Sequence, residues 1–78
     1  MEEVQFLQEV QVKPGALGLN HGERVAGRVG TVVDRAAGSE IVDELGNWAF
    51  LRFEDEHGVS LFYDWVRLSD LAGVPAAR

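Results

Sequence analysis

The side chains best suited to acid–base or metal chemistry in this 78-residue chain are His21, His57 and the acidic run Glu54-Asp55-Glu56. A metal site would need both imidazoles to converge with a carboxylate such as Asp55 or Glu56, and their separation fits no characteristic ligand spacing. Each histidine lies beside a glycine, in Asn20-His21-Gly22 and Glu56-His57-Gly58, so both are expected in solvent-exposed turns. The acidic run has the composition of a solvated hairpin tip, with weak cation binding or imitation of a phosphate charge as its alternatives. Paired carboxylates for hydrolysis would need a cleft, which so small a domain seldom provides. Cysteine is absent, which removes thiolate ligands, a cysteine nucleophile and disulfides together. No catalytic residue, metal or cofactor is expected, and what remains is the chemistry of binding.

Two sets of residues are candidates for it. Trp48, Phe50, Phe62, Tyr63 and Trp65 form the densest aromatic group; at about 25 cal/mol per Å² buried, such rings are also the main stabilisers of a small core. Counted by parity, Trp48, Phe50 and Phe62 fall opposite Ala49, Leu51, Phe53, Val59, Leu61 and Tyr63, so both faces of a sheet would carry aromatics. One face is then either covered, by the N-terminal strand or a second copy of the chain, or open to a partner. A patch of Trp48, Phe50, Phe62 and Trp65 with Arg52, rimmed by Glu54 and Asp64, predicts a protein interface or self-association. The second set, Lys13, Arg24, Arg28 and Arg35, flanks a long loop and the strand after it, and is the natural place for nucleic acid. Four bases neutralise few phosphates, and the rings that would stack on bases lie mainly in the acidic half.

Thirteen acids against seven bases give a net charge of −6, which favours solubility and opposes non-specific binding to phosphate backbones. The charge is uneven: residues 10–38 are locally basic, whereas residues 39–78 hold eight acids against three arginines. The N-terminal Met1-Glu2-Glu3-Val4 lacks the basic and apolar regions of a secretory signal, and no apolar run approaches the roughly 20 residues of a membrane helix. A cytoplasmic, soluble, single-domain protein is expected over residues 1–78. At this length one core is barely sufficient, so oligomerisation would help.

The elements that position these residues centre on Gly27-Arg28-Val29-Gly30-Thr31-Val32-Val33-Asp34, read as a glycine turn feeding a β-branched strand. Before it, residues 3–13 fit period two, with Val10-Gln11-Val12 the firmest strand and a helical turn over 2–8 as an alternative. Pro14-Gly15 stops that strand, and residues 14–26 form a long loop pinned by Leu17, Leu19 and Val25. Ser39 as N-cap, Ile41 and Leu45 at helical spacing and Gly46 predict a short helical turn near 39–45. Trp48–Glu54 and Val59–Asp64 predict a hairpin across Asp55–Gly58. A further short turn, a last strand around Val66-Arg67-Leu68 and a frayed tail over 73–78 complete the chain.

Val10-Gln11-Val12-Lys13-Pro14-Gly15, Gly27-Arg28-Val29-Gly30-Thr31-Val32-Val33, Phe50-Leu51-Arg52-Phe53-Glu54-Asp55 and Val66-Arg67-Leu68-Ser69-Asp70-Leu71 together resemble a small SH3-like β-barrel of the KOW-like kind, over about residues 8–71. The resemblance implies an all-β, five-stranded barrel acting as a small non-catalytic binding module or accessory subunit, with a protein partner or a homo-oligomer. KOW-like proteins also imply RNA binding through the Lys13/Arg24/Arg28/Arg35 region. The type II dihydrofolate reductases are similarly short barrels that tetramerise around a pore. Tyr63 and Lys13 match their pattern, but Val59-Ser60-Leu61-Phe62-Tyr63 has no glutamine at the pore position.

Overall fold

The computed structural model describes residues 1–35, 40–54, 57 and 61–74. The chain is all-β. Strands β1 (Glu9–Val12), β2 (Val29–Val32), β3 (Trp48–Glu54), β4 (Leu61–Arg67) and β5 (Leu71–Gly73) form one antiparallel sheet in the order β4-β3-β2-β1-β5. Among the described residues the helical content is two three-residue 3-10 turns, Glu23–Val25 and Leu68–Asp70. No helix among them is long and apolar enough to cross a membrane.

β-branched and aromatic residues build β1 to β4, and the period-two rule sets which side chains go inside. Val10 and Val12 of β1, Val32 of β2, Ala49, Leu51 and Phe53 of β3, and Phe62 and Val66 of β4 point inward. They meet Ala16, Val25, Leu68 and Leu71 in one cluster. Gly30 is also buried, in the middle of β2. It has a packing role: a Cβ there would lie 2.8 Å from Phe53 Cε1, so the bare backbone makes room for the largest core ring.

Several expectations are corrected. The barrel is not closed: β4 and β5 end the sheet and do not pair with each other. β5 is three residues long and spends its pairing on β1, from Val10↔Gly73 to Val12↔Leu71. The helical turn near 39–45 is absent from its described part, residues 40–45. There residues 41–43 extend alongside β3, with Val42 bridged to Ala49 and the Phe50 N–H donating to the Ile41 carbonyl at 3.0 Å. Asp43 closes the turn, since its Oδ1 accepts the N–H groups of Asn47 and Trp48 at 2.7 and 2.9 Å. Such aspartate-to-backbone bonds compete with a helix and win in a short segment. Ser39 lies outside the described residues.

The last strand is the third correction. Val66 and Arg67 continue β4, Leu68 opens a 3-10 turn, and β5 begins at Leu71. Gly73, expected in a frayed tail, pairs with Val10; residues 75–78, like Asp55, Glu56 and Gly58–Ser60 of the hairpin connection, lie outside the described residues. The N-terminal strand is shorter than its alternation implied, because the chain turns at Phe6-Leu7 before β1. There Leu7 adopts a left-handed φ of 66° and its N–H reaches the Val32 carbonyl at 2.7 Å.

Candidate functional site

The β3–β4 ribbon is the longest pairing in the sheet, seven residues in register from Trp48↔Arg67 to Glu54↔Leu61. Six residues separate Glu54 from Leu61. Even-numbered residues of β3 therefore share a face with odd-numbered residues of β4. The outer face consists of Trp48, Phe50, Arg52 and Glu54 beside Arg67, Trp65, Tyr63 and Leu61. Phe50 is central to it: its ring stacks on Tyr63 at 5.8 Å and 9°, and tilts against Trp65 at 5.0 Å. At one end the Arg67 guanidinium lies 5.1 Å from the Trp48 ring.

The structure thus brings Trp48, Phe50, Arg52 and Trp65 together, as the sequence predicted. It does not place Phe62 with them. Phe62 is the register partner of Phe53 and stacks on it inside, with centroids 5.0 Å apart. Tyr63, which parity assigned to the inner side, takes its place outside and is 43% exposed; Leu61 beside it is 50% exposed. Trp48, Phe50 and Trp65 are half-buried. An aromatic ladder of this kind, wide, stiff and partly wetted, is suited to burying a partner's apolar surface. Counting the connection as an even number of residues was the signal that would have found Tyr63.

Asp64, expected at the rim of the patch, is a charged residue in the inner row and fully buried. The loop after β1 explains it. Gly18 and Gly22 pair across a tight reversal, and the Leu19 N–H donates to the Trp65 carbonyl at 3.0 Å. This holds the backbone of Asn20 and His21 over the carboxylate. Asp64 Oδ1 accepts the N–H groups of Asn20 at 2.9 Å and Trp65 at 2.8 Å, and Oδ2 accepts that of His21 at 2.8 Å. The Asn20 side-chain amide adds a further bond at 3.2 Å. Gly18 is obligatory for this approach, because a Cβ there would run into Asp64 Oδ2. Leu17 and Leu19, the expected anchors of the loop, are exposed, whereas Val25 is buried as expected.

The bases divide into separate places. Arg24 lies over the face of Phe62, its guanidinium carbon 3.7 Å from the ring centroid, with His21 edge-on to the same ring at 5.0 Å. Arg28 is near the ring at 5.5 Å, but its Nε donates to the Arg24 carbonyl and its Nη1 to the Glu54 carbonyl. Lys13 reaches the Ser69 carbonyl at 3.0 Å instead. Arg35 is exposed.

Trp48 and Arg67 also separate two open hollows. One, of about 680 Å³, is lined by Met1, Gly46, Asn47 and Ser69 with these two residues. The other, of about 380 Å³, adds Leu17, Leu19 and Asp70. Nearby, the N–H of Trp48 above all holds the Asp43 carboxyl below its ordinary value of 3.8, outweighing the opposing effect of burial. His21 and His57 are exposed, and no group of three His, Asp or Glu among the described residues is arranged to hold a metal ion. No protein-family model matches the chain, and comparison with curated proteins and with solved structures returns no match.

Proposed function

We propose that the protein is a small binding module whose partner is another protein chain, engaged through the outer face of the β3–β4 ribbon. The observation that carries this reading is the contact ladder Tyr63, Phe50 and Trp65, which presents large rings to solvent on a stiff pair of strands. Arg52 and Arg67 border it, and aromatic residues with arginine dominate the energetics of protein interfaces. Trp48 with its two hollows extends the same surface past the end of the ribbon. An SH3-like reading of the open sheet agrees with this role. Its support is the five-stranded all-β sheet with a long loop after β1 and a β3–β4 hairpin.

Nucleic-acid binding receives less support from the arrangement of the bases. Arg28 spends two of its donor groups on backbone carbonyls, Lys13 spends its ammonium on Ser69, and the ring beneath Arg24 is buried instead of open to a base. Coupling to nucleic acid requires donors that remain available to phosphate.

Site-specific photo-crosslinking in cells tests the reading. A benzophenone amino acid at Tyr63 is expected to yield adducts with a protein chain. The same probe at Leu45, which is 81% exposed but off the ribbon, is expected to yield none above background. Equal yields at the two positions, or adducts at Tyr63 with nucleic acid alone, would overturn it.

A further inference from the structure

We infer that the chain seated on the outer β3–β4 face is a second copy of this protein, stacked face to face about a two-fold axis at the level of Leu51 and Asp64. The inference rests on the preceding reading of that face as the binding surface. Leu51 and Asp64 are register partners. The outward residues Trp48, Phe50, Arg52 and Glu54 are disposed symmetrically about Leu51, and Leu61, Tyr63, Trp65 and Arg67 symmetrically about Asp64. An axis lying between the sheets and perpendicular to the strands therefore sets each row on its own reverse. Phe50 of one copy meets Arg52 of the other, and Tyr63 meets Trp65. At the ends, Trp48 and Arg67 meet Glu54 and Leu61.

Charge selects this arrangement. Arg67 stands at one end of the face and Glu54 at the other, because Trp48↔Arg67 and Glu54↔Leu61 are the terminal pairs of the ribbon. Antiparallel stacking brings the unlike ends together twice, as an isologous contact requires. An axis along the strands would instead set Arg67 near Arg67 and Glu54 near Glu54. The central contact suits the residues that form it: a guanidinium over a phenylalanine face and two offset rings are both favourable pairings. Aligned packing of two sheets about 10 Å apart accommodates such interdigitated side chains.

The alternative route to a pair, edge-to-edge growth from β4, is obstructed. The Trp65 carbonyl is taken by the Leu19 N–H and its own N–H by Asp64 Oδ1, so the loop at 18–22 occupies the edge a neighbouring strand would need. Face-to-face stacking leaves those bonds intact and covers Tyr63 and Leu61. It also relieves the burden on a core that a chain of 78 residues can barely fill.

Sedimentation equilibrium of the full chain, from micromolar to millimolar concentration, tests this with the wild type, Tyr63→Ala, Glu54→Arg, Arg67→Glu and the double charge reversal. The wild type is expected to show a reversible monomer–dimer equilibrium. Each single change is expected to raise the dimer Kd about tenfold or more, and the double reversal to bring it back to within about threefold. Far-UV circular dichroism confirms that each variant remains folded, and the exposed positions of Glu54, Tyr63 and Arg67 favour that outcome. A wild type that stays monomeric throughout overturns the inference; adducts from Tyr63 to a different protein would then leave the face itself as the binding surface. A dimer indifferent to Tyr63→Ala and to both charge reversals also overturns it. If Tyr63 gave no adducts as well, the reading of the face would fall with it.

Discussion

Both faces of the β3–β4 ribbon carry aromatic rings, yet among the described residues the other strands close over only one. Phe53 and Phe62 are stacked inside, where β1, β2 and the loop after β1 complete their surroundings. Phe50, Tyr63 and Trp65 are in similar mutual contact outside, but Tyr63 remains 43% exposed. Ring content does not distinguish the two sides. What does is whether other elements can reach over them, and the five-stranded order folds the remaining strands toward the inner face alone. The inner face also tolerates a carboxylate, because backbone donors saturate it. Burying a charged group costs heavily without hydrogen-bond partners, and Asp64 has them from Asn20, His21 and Trp65.

The sharpest way to break this comparison is to truncate one ring on each face of the same strand. Phe53→Ala should destabilise the fold by about 4 kcal/mol in urea denaturation, since it opens a cavity in a fully enclosed site. Phe50→Ala should cost about 1.5 kcal/mol, its half-buried ring losing stacking and part of its buried area. Equal losses would erase the distinction between the faces.

Asp64→Ala is expected to cost about 3 kcal/mol, because it strands the N–H groups that converge on the carboxylate and frees the loop. Hydrogen exchange should quicken first at Asn20 and His21, which separates loss of the latch from general unfolding. Asp64→Asn retains one accepting oxygen and should lose less. A loop whose protection is unchanged in Asp64→Ala would sink the account of the buried carboxylate.

The smallest expected effect concerns the turn at the mouth of the outer face. Asp43 has a folded pKa below its unfolded one, so its contribution is fully present above the ordinary value of 3.8 and is lost as pH falls through the lowered value. Between about pH 6 and about pH 2, the stability of the wild type should fall slightly more steeply than that of Asp43→Asn, which cannot titrate. Parallel curves would remove Asp43 as an acid-sensitive latch beside Trp48.

Much of the architecture was legible in local chemistry. The β-branched runs at Val10-Gln11-Val12 and Val29-Gly30-Thr31-Val32, the Trp48–Glu54 strand and the hairpin that follows it all appear, because side-chain alternation and breakers act over a few residues. Of the outer face, Trp48, Phe50, Arg52 and Trp65 were also legible as one surface group, from their residue types and spacing. By contrast, the helical turn expected near 39–45 does not form in residues 40–45, because the spacing of Ile41 and Leu45 says nothing of the Asp43 carboxylate bonding the backbone of Asn47 and Trp48.

What the sequence by itself determined, then, is the all-β character and the aromatic wealth of the ribbon, both set by residue type and neighbour spacing. Only the tertiary structure decided how a carboxylate comes to lie on the inner face of β4. Leu61, Tyr63 and Trp65 form the row with more ring area, ending in Arg67, and area burial alone would send those three to the core. The opposite row, Phe62, Asp64 and Val66, goes in because a loop more than 40 residues away in sequence supplies the donors its carboxylate needs. A long-range hydrogen-bond cradle of that kind leaves no periodic trace in the chain, and it turns Tyr63 and Trp65 outward.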